Sequence, residues 1–186
     1  MVPHGAEREW GAVMTERIEW KPALDHPELM AEAVRAAMTR FDGSARIARI
    51  DPESADTAAF CERYGLSLDT SANCVVLSAK RGGEVSYAAC VVPATRRADV
   101  NGVLRRHLGA RKVSFAPMEE ATGETGMEYG GITPFGLPKE WPLLVDKEVH
   151  DTPWVVVGSG LRRSKLRVPG PLLAELPGAE VLSLTK

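Results

Sequence analysis

In "MEYGGITPFGLP", residues 127–138, two adjacent glycines stand among prolines and small polar residues, with little charge. Gly130 and Gly131 lack the Cβ that would block a close approach, while Pro134 and Pro138 stiffen the path. Such a loop suits the presentation of backbone N–H groups to a ligand carbonyl or anion, and it equally suits a tight turn that needs glycine. A second stretch, "VGSG" at 157–160, follows a strongly apolar run, where strand-end loops often form ligand crevices. It leads into "LRRSKLR", in which Arg162, Arg163, Lys165 and Arg167 fall within six positions. That cluster is either a phosphate-contacting edge or a solvated surface.

Several chemistries are not supported. Neither glycine stretch is a P-loop, because GxxxxGKS and GxxxxGKT are absent. Ser159 is flanked by glycines, but the outer spacing of a nucleophile elbow fails. His4, His26, His107 and His150 are scattered, and Cys61, Cys74 and Cys90 show no CxxC spacing, so no metal site is expected, and chemistry done by water and fixed dipoles would need no organic cofactor. The cysteines read as reduced, buried small hydrophobes.

The 186 residues suffice for one well-buried domain, and no apolar run approaches the roughly 20 residues of a membrane span. A cytoplasmic protein is expected, without a secretory signal in its mixed N-terminal stretch. Net charge is -2, but unevenly spread: residues 1–62 hold 12 acids and 7 bases, or -5, whereas the remainder holds 13 acids and 16 bases, or +3. With a pI near 6.1, any nucleic-acid contact should be local and salt-sensitive.

The elements that must position these residues alternate. "DHPELMAEAVRAAMTRF" predicts a helix with Asp25 as N-cap, Pro27 in the first turn and a stop at Asp42-Gly43. "ARIARID" predicts a strand, and "PESADTAAFCERYG" a helix ending at Gly65. "NCVVLSAK" and "EVSYAACVVP" predict a hairpin joined through Arg81-Gly82-Gly83. "RADVNGVLRRHLG" predicts a helix capped by Asp99 or Thr95, "RKVSFA" a strand and "PMEEATGETG" a short helix. "WPLLVD" and "PWVVVGSG" read as strands buried on both faces, followed by "SKLRVP" as a strand, "PGPLLAELPG" as a brief helix and "AEVLSL" as a strand. We expect a loosely ordered extension over residues 1–20 and one α/β domain over 21–186.

The order of "NCVVLSAK", "RADVNGVLRRHLGARKVSFAP", "TGMEYGGITPFGLP", "WPLLVD" and "WVVVGSGLRRSKLRV" resembles the YbaK/EbsC family, relatives of the editing domain inserted in bacterial prolyl-tRNA synthetases. The resemblance runs from about Asp25 to Leu184. It implies a single α/β domain with a mixed, barrel-like β-sheet and peripheral helices, and hydrolysis in trans of the ester joining a wrong amino acid to tRNA. The family's GxxxP element corresponds to Gly130, Gly131, Ile132, Thr133 and Pro134, whose backbone would shape the aminoacyl pocket and support the polarised carbonyl. Gly158, Ser159 and Gly160 resemble the family's SGG and would face the same pocket. A small pocket of this kind selects weakly, since one methylene is worth roughly 1–3 kcal/mol.

Departures matter as much. The family's functional lysine, usually in "FKT", aligns with Asn73, and Lys165 stands where several relatives carry an aspartate. Lys165 either restores the missing charge from the opposite wall or is one more solvated base, and the Asn73 amide can orient water or an amino group. Lys80 lies too far along its strand. Cys74 should turn away from Asn73 into the core, and Asp146 would hold a loop through backbone N–H groups or act chemically.

Three readings follow: a deacylase of mischarged aminoacyl-tRNA using Gly130, Gly131, Asn73 and Lys165, with Arg162, Arg163 and Arg167 on tRNA; a non-catalytic module for aminoacyl-tRNA or an amino-acid-like ligand; and an interaction module docking on tRNA or a synthetase.

Overall fold

The computed structural model describes residues 16–41 and 43–186. Its framework starts from the hairpin of β3 (Ala72–Arg81) and β4 (Glu84–Pro93), antiparallel from Ala72↔Pro93 to Arg81↔Glu84. Gly82 and Gly83 turn it with φ of 59° and 82°, the left-handed pair that matches strand twist. On the β3 side β5 (Lys112–Phe115) adds antiparallel; on the β4 side β6 (Leu143–Asp146) adds parallel, followed by β9 (Ala179–Leu182), also parallel.

A second sheet is wholly antiparallel, in the order β1 (Lys21–Pro22), β2 (Arg46–Arg49), β8 (Ser164–Val168) and β7 (Val155–Gly158). Ser71 and Val156 form a lone parallel bridge where β7 passes the start of β3. The mixed α/β architecture is the one expected, but two sheets joined at one bridge do not make a closed barrel.

The main core lies between the sheets and includes Val34, Ile47, Phe135, Val145, Val157 and Leu166. A second cluster covers the other face of the mixed sheet with Leu77, Cys90, Leu104, Leu144 and Leu184. Every residue of β6 and β7 is buried, as their uninterrupted apolar runs predict.

The helices depart from expectation where proline intervenes. The predicted helix from Asp25 is instead two 3-10 turns, Ala23–Asp25 and Pro27–Leu29, and α1 (Glu32–Met38) starts after Ala31 without a side-chain cap. Pro27 excludes His26 from helical geometry, leaving it at φ -130°, ψ 58°. Gly43 takes φ 84° beyond α1, while Asp42 lies outside the described residues. α2 (Thr57–Tyr64) is capped by Asp56, which accepts from the amides of Ala58 and Ala59, and ends at left-handed Gly65.

Asp99 caps the next segment through Gly102 and Val103, though it is a π-turn over Val100–Leu104 followed by the single turn of α3 (Arg105–His107). α4 (Met118–Thr125) and α5 (Lys147–His150) are short, and the last expected helix is a 3-10 segment, Gly170–Glu175, opened by prolines. Asp146 is buried and accepts from the amides of Glu148 and Leu184, fixing α5 and the C-terminal strand together.

Of the extension expected over 1–20, residues 1–15 lie outside the described residues. Glu16 pairs with Arg63, and Ile18 and Trp20 pack on the Phe60 and Tyr64 cluster.

Candidate functional site

A cleft of about 740 Å³ opens between the two sheets at the start of β3. One wall is β3 from Ala72 to Val76; the others come from Ala55 to Thr57, the glycine loop, Gly158, and Arg162 with Lys165. The walls meet because glycine lets backbone touch backbone. A Cβ on Gly158 would overlap the carbonyls of Gly131 and Ile132, and one on Gly131 would sit 2.7 Å from the Leu161 backbone.

Lys165 is the most unusual side chain here. Strand alternation on β8 sends Ser164, Leu166 and Val168 into the core and leaves Lys165 on the face covered by α2. Lys165 is 6% exposed, and its ammonium donates to Ala55 O at 2.7 Å and lies 5.6 Å from the Phe60 ring centroid. Among the described residues no carboxylate forms an ion pair with it. Burial lowers its pKa to about 8, with Asp56 and Cys61 opposing the shift and Arg162 adding to it.

Asn73 borders the same cleft from the other sheet. Its Oδ1 accepts from Thr57 Oγ1 at 2.6 Å, and among the described residues its Nδ2 has no acceptor. The Gly131 amide is spent on Glu128 O at 2.9 Å, whereas no described residue accepts from the amides of Gly130 or Ile132. The site is therefore rich in hydrogen-bond donors. Of its carboxylates, Asp56 is engaged in capping α2, and Glu53 lines the cleft from an exposed position.

The sequence-derived residues divide. Asn73, Gly130, Ile132, Gly158, Arg162 and Lys165 come together around the cleft. Gly131 and Gly160 stand behind it, linked by Gly160 N to Gly131 O at 2.6 Å, and a Cβ on Gly160 would overlap Ala31. Ser159 is fully buried, bonded to Ser164 Oγ at 2.6 Å and to the Leu161 backbone. Thr133 is fully buried too, and Pro134 lines a separate apolar cavity of about 260 Å³ beside Ala33 and Leu137.

The basic cluster also divides. Arg162 reaches the cleft rim, donating to Tyr129 O and Pro52 O, both at 2.9 Å. Arg163 donates to Glu28 O, and Arg167 lies between the rings of Trp20 and Trp154, 5.1 and 5.4 Å from their centroids. Neither lines the cleft.

Cys74 packs against the main core at the cleft wall, and burial, with Cys90 adding, pushes its thiol far above the usual range. It is no thiolate nucleophile at neutral pH. Among the described residues no group of three or more His, Cys, Asp or Glu could hold a metal, and no helix is long and apolar enough to cross a membrane.

Sequence reasoning missed Thr57, sixteen positions from its partner Asn73, although the capping signal of Asp56 marks where its helix begins. It also missed the cleft's apolar mouth, where Phe115, Met118 and Tyr129 are 60%, 53% and 59% exposed. No local pattern distinguishes such residues from core.

The fold is shared with proteins of known structure. A crystal structure described as a "putative trans-editing enzyme for prolyl tRNA synthetase" superposes with a TM-score of 0.71 at 24% identity, covering 84% of this chain and 96% of its own. Hypothetical protein APE2540 superposes with a TM-score of 0.73 at 22% identity, covering 83% and 100%. At these identities the likeness shows the fold. The "Putative Cys-tRNA(Pro)/Cys-tRNA(Cys) deacylase EbsC" of Enterococcus faecalis is 21% identical over 104 residues, which span 56% of this chain and 63% of that relative's length. The model of the aminoacyl-tRNA editing domain matches residues 51–176, the stretch holding every cleft residue named above, and the chain belongs to that family.

Proposed function

We propose that this chain hydrolyses the ester of a mischarged aminoacyl-tRNA, with water as the nucleophile. The observation that carries this reading is the cleft itself, where Asn73 and Lys165 present unspent donors from two different sheets within an editing-family fold. The named relative's cysteinyl-tRNA substrates support an ester of this class.

A tRNA 3′ end entering the cleft leads with its amino acid. The amides of Gly130 and Ile132 would polarise the ester carbonyl, because fixed dipoles need no reorganisation as charge develops on oxygen. Asn73, held by Thr57, would align the acyl group or the attacking water, and Lys165 would hold the acyl end from the opposite wall. Water then bonds to the carbonyl carbon, the ester C–O bond breaks, and the ribose oxygen leaves with a proton. Arg162 meets the backbone at the mouth, while the exposed rings of Phe115 and Tyr129 offer faces for terminal bases. Residues 21–186 form the editing unit on this reading, and the substrate places the work in the cytoplasm, downstream of a synthetase.

Asn73 in place of the family's lysine favours a second reading, a module that binds an aminoacyl-tRNA or an amino-acid-like ligand without turnover. Amino-acid release from a panel of mischarged tRNAs separates the two. Substrate-selective release that disappears in Ile132→Trp, which fills the cleft, supports hydrolysis; intact esters alongside salt-sensitive tRNA binding leave the binding module.

A further inference from the structure

Resting on the deacylase reading, we infer that the acyl group this cleft takes carries a side-chain carboxylate, and that Lys165 is the group that reads it. The argument begins with position. Lys165 is nearly buried, whereas Phe115, Met118 and Tyr129 at the mouth are half exposed or more. In an aminoacyl-tRNA the phosphates trail the terminal ribose, so they stay with Arg162 and the mouth, and the acyl group meets Lys165.

Charge comes next. The ammonium has three hydrogens, one of which goes to Ala55 O, and no described carboxylate forms an ion pair with it. A neutral acceptor on a ligand would satisfy the remaining hydrogens but not the charge. A carboxylate satisfies both, and pairing is what makes a buried ion tolerable. Donors surround the position: the free Asn73 amide N–H, the Arg162 guanidinium, and the Gly130 and Ile132 amides. Asp56, whose charge acts on Lys165, caps α2 through Oδ1 and forms no ion pair with it. An acyl group with a cationic side chain would meet Lys165 and Arg162 and be repelled.

The ester carbonyl is the other acceptor that Lys165 could serve, and every aminoacyl ester has one. Binding of non-hydrolysable amide-linked aspartyl-, asparaginyl-, alanyl- and lysyl-adenosine by calorimetry tells the two apart, because aspartyl and asparaginyl groups share shape and differ in charge. The expected result is at least a 10-fold preference for aspartyl over asparaginyl, the weakest binding for lysyl, and loss of the preference in Lys165→Met and in Lys165→Gln, which keeps a donor for Ala55 O. Equal affinity for aspartyl and asparaginyl overturns the inference, as does a uniform loss across all four ligands in the variants. Turnover is scored separately on the corresponding charged tRNAs. An aspartyl preference in binding with every ester left intact sinks the deacylase reading and keeps the carboxylate site; hydrolysis without that preference does the reverse.

Discussion

Thr57 Oγ1 donates to Asn73 Oδ1 at 2.6 Å, and this bond ties the first turn of α2 to the first residues of β3 across the floor of the cleft. It occupies the amide's acceptor and so turns its N–H donors outward. Thr57→Val, which keeps shape and removes the hydroxyl, should lower single-turnover deacylation by about 5-fold, in line with one orienting hydrogen bond of roughly 1 kcal/mol. Asn73→Ala should lower it further. Thermal stability should change little in either variant, and an unchanged rate in Thr57→Val would remove Asn73 from the mechanism.

The pH profile distinguishes two uses of Lys165. As a cation that holds the acyl end, it loses its charge as pH rises through about 8, so substrate affinity should fall over that range. As a general base it would become competent over the same range, and the rate would rise. The charged groups facing it are Asp56 and Arg162, with the Cys61 thiol beside them. We expect KM to rise above pH 8 while kcat holds, measured with and without Lys165→Met.

Stability should move the opposite way from what a lost ion pair would suggest. The folded pKa of Lys165 is below its value in the unfolded chain, so between about 8 and 10.5 the unfolded state binds more protons and stability rises with pH. Below pH 8 the whole cost of burying the charge is present. Lys165→Met should therefore be more stable at pH 7 by about 1–2 kcal/mol, after allowance for the lost bond to Ala55 O, and the advantage should vanish towards pH 10.5 in denaturant titrations.

Glycine substitutions separate scaffold from cleft. Gly158→Ala and Gly131→Ala put a methyl into facing backbone, which cannot swing aside, and should each destabilise the fold by roughly 2 kcal/mol or more. Ile132→Trp instead directs its bulk at the cleft and should keep the fold cooperative while abolishing ligand binding. Urea midpoints beside binding curves check both.

At the mouth, Phe115→Ala and Tyr129→Ala should leave stability within about 0.5 kcal/mol, since both rings are mostly exposed. Each should weaken binding of tRNA with an intact 3′ end by roughly 1 kcal/mol or more through lost base stacking. Equal affinity for a tRNA trimmed of its terminal nucleotides would show that the mouth does not meet them.

Much of the frame is legible in the chain. The hairpin with its two glycines, the caps at Asp56 and Asp99, and the stop at Gly65 all rest on interactions between residues a few positions apart. The proline at 27 also carries the information that breaks the first helix, though its effect there outweighed an apolar spacing that otherwise reads as continuous. Gly130 and Gly131 illustrate the limit. As neighbours in one motif they look equivalent, but one borders the cleft and the other lies against Leu161.

By itself, then, the sequence determined the element order, the hydrophobic faces and the presence of an asparagine at 73 and a lysine at 165. Tertiary structure alone decided that Lys165 is buried with no ion pair among the described residues, that Thr57 holds Asn73, that Ser159 is a structural hydroxyl and that Phe115 and Tyr129 face outward. Turns, caps and periodicity are short-range and so are written locally. Burial and the choice of hydrogen-bond partner depend on which segments distant in the chain are packed together, and no local window contains them.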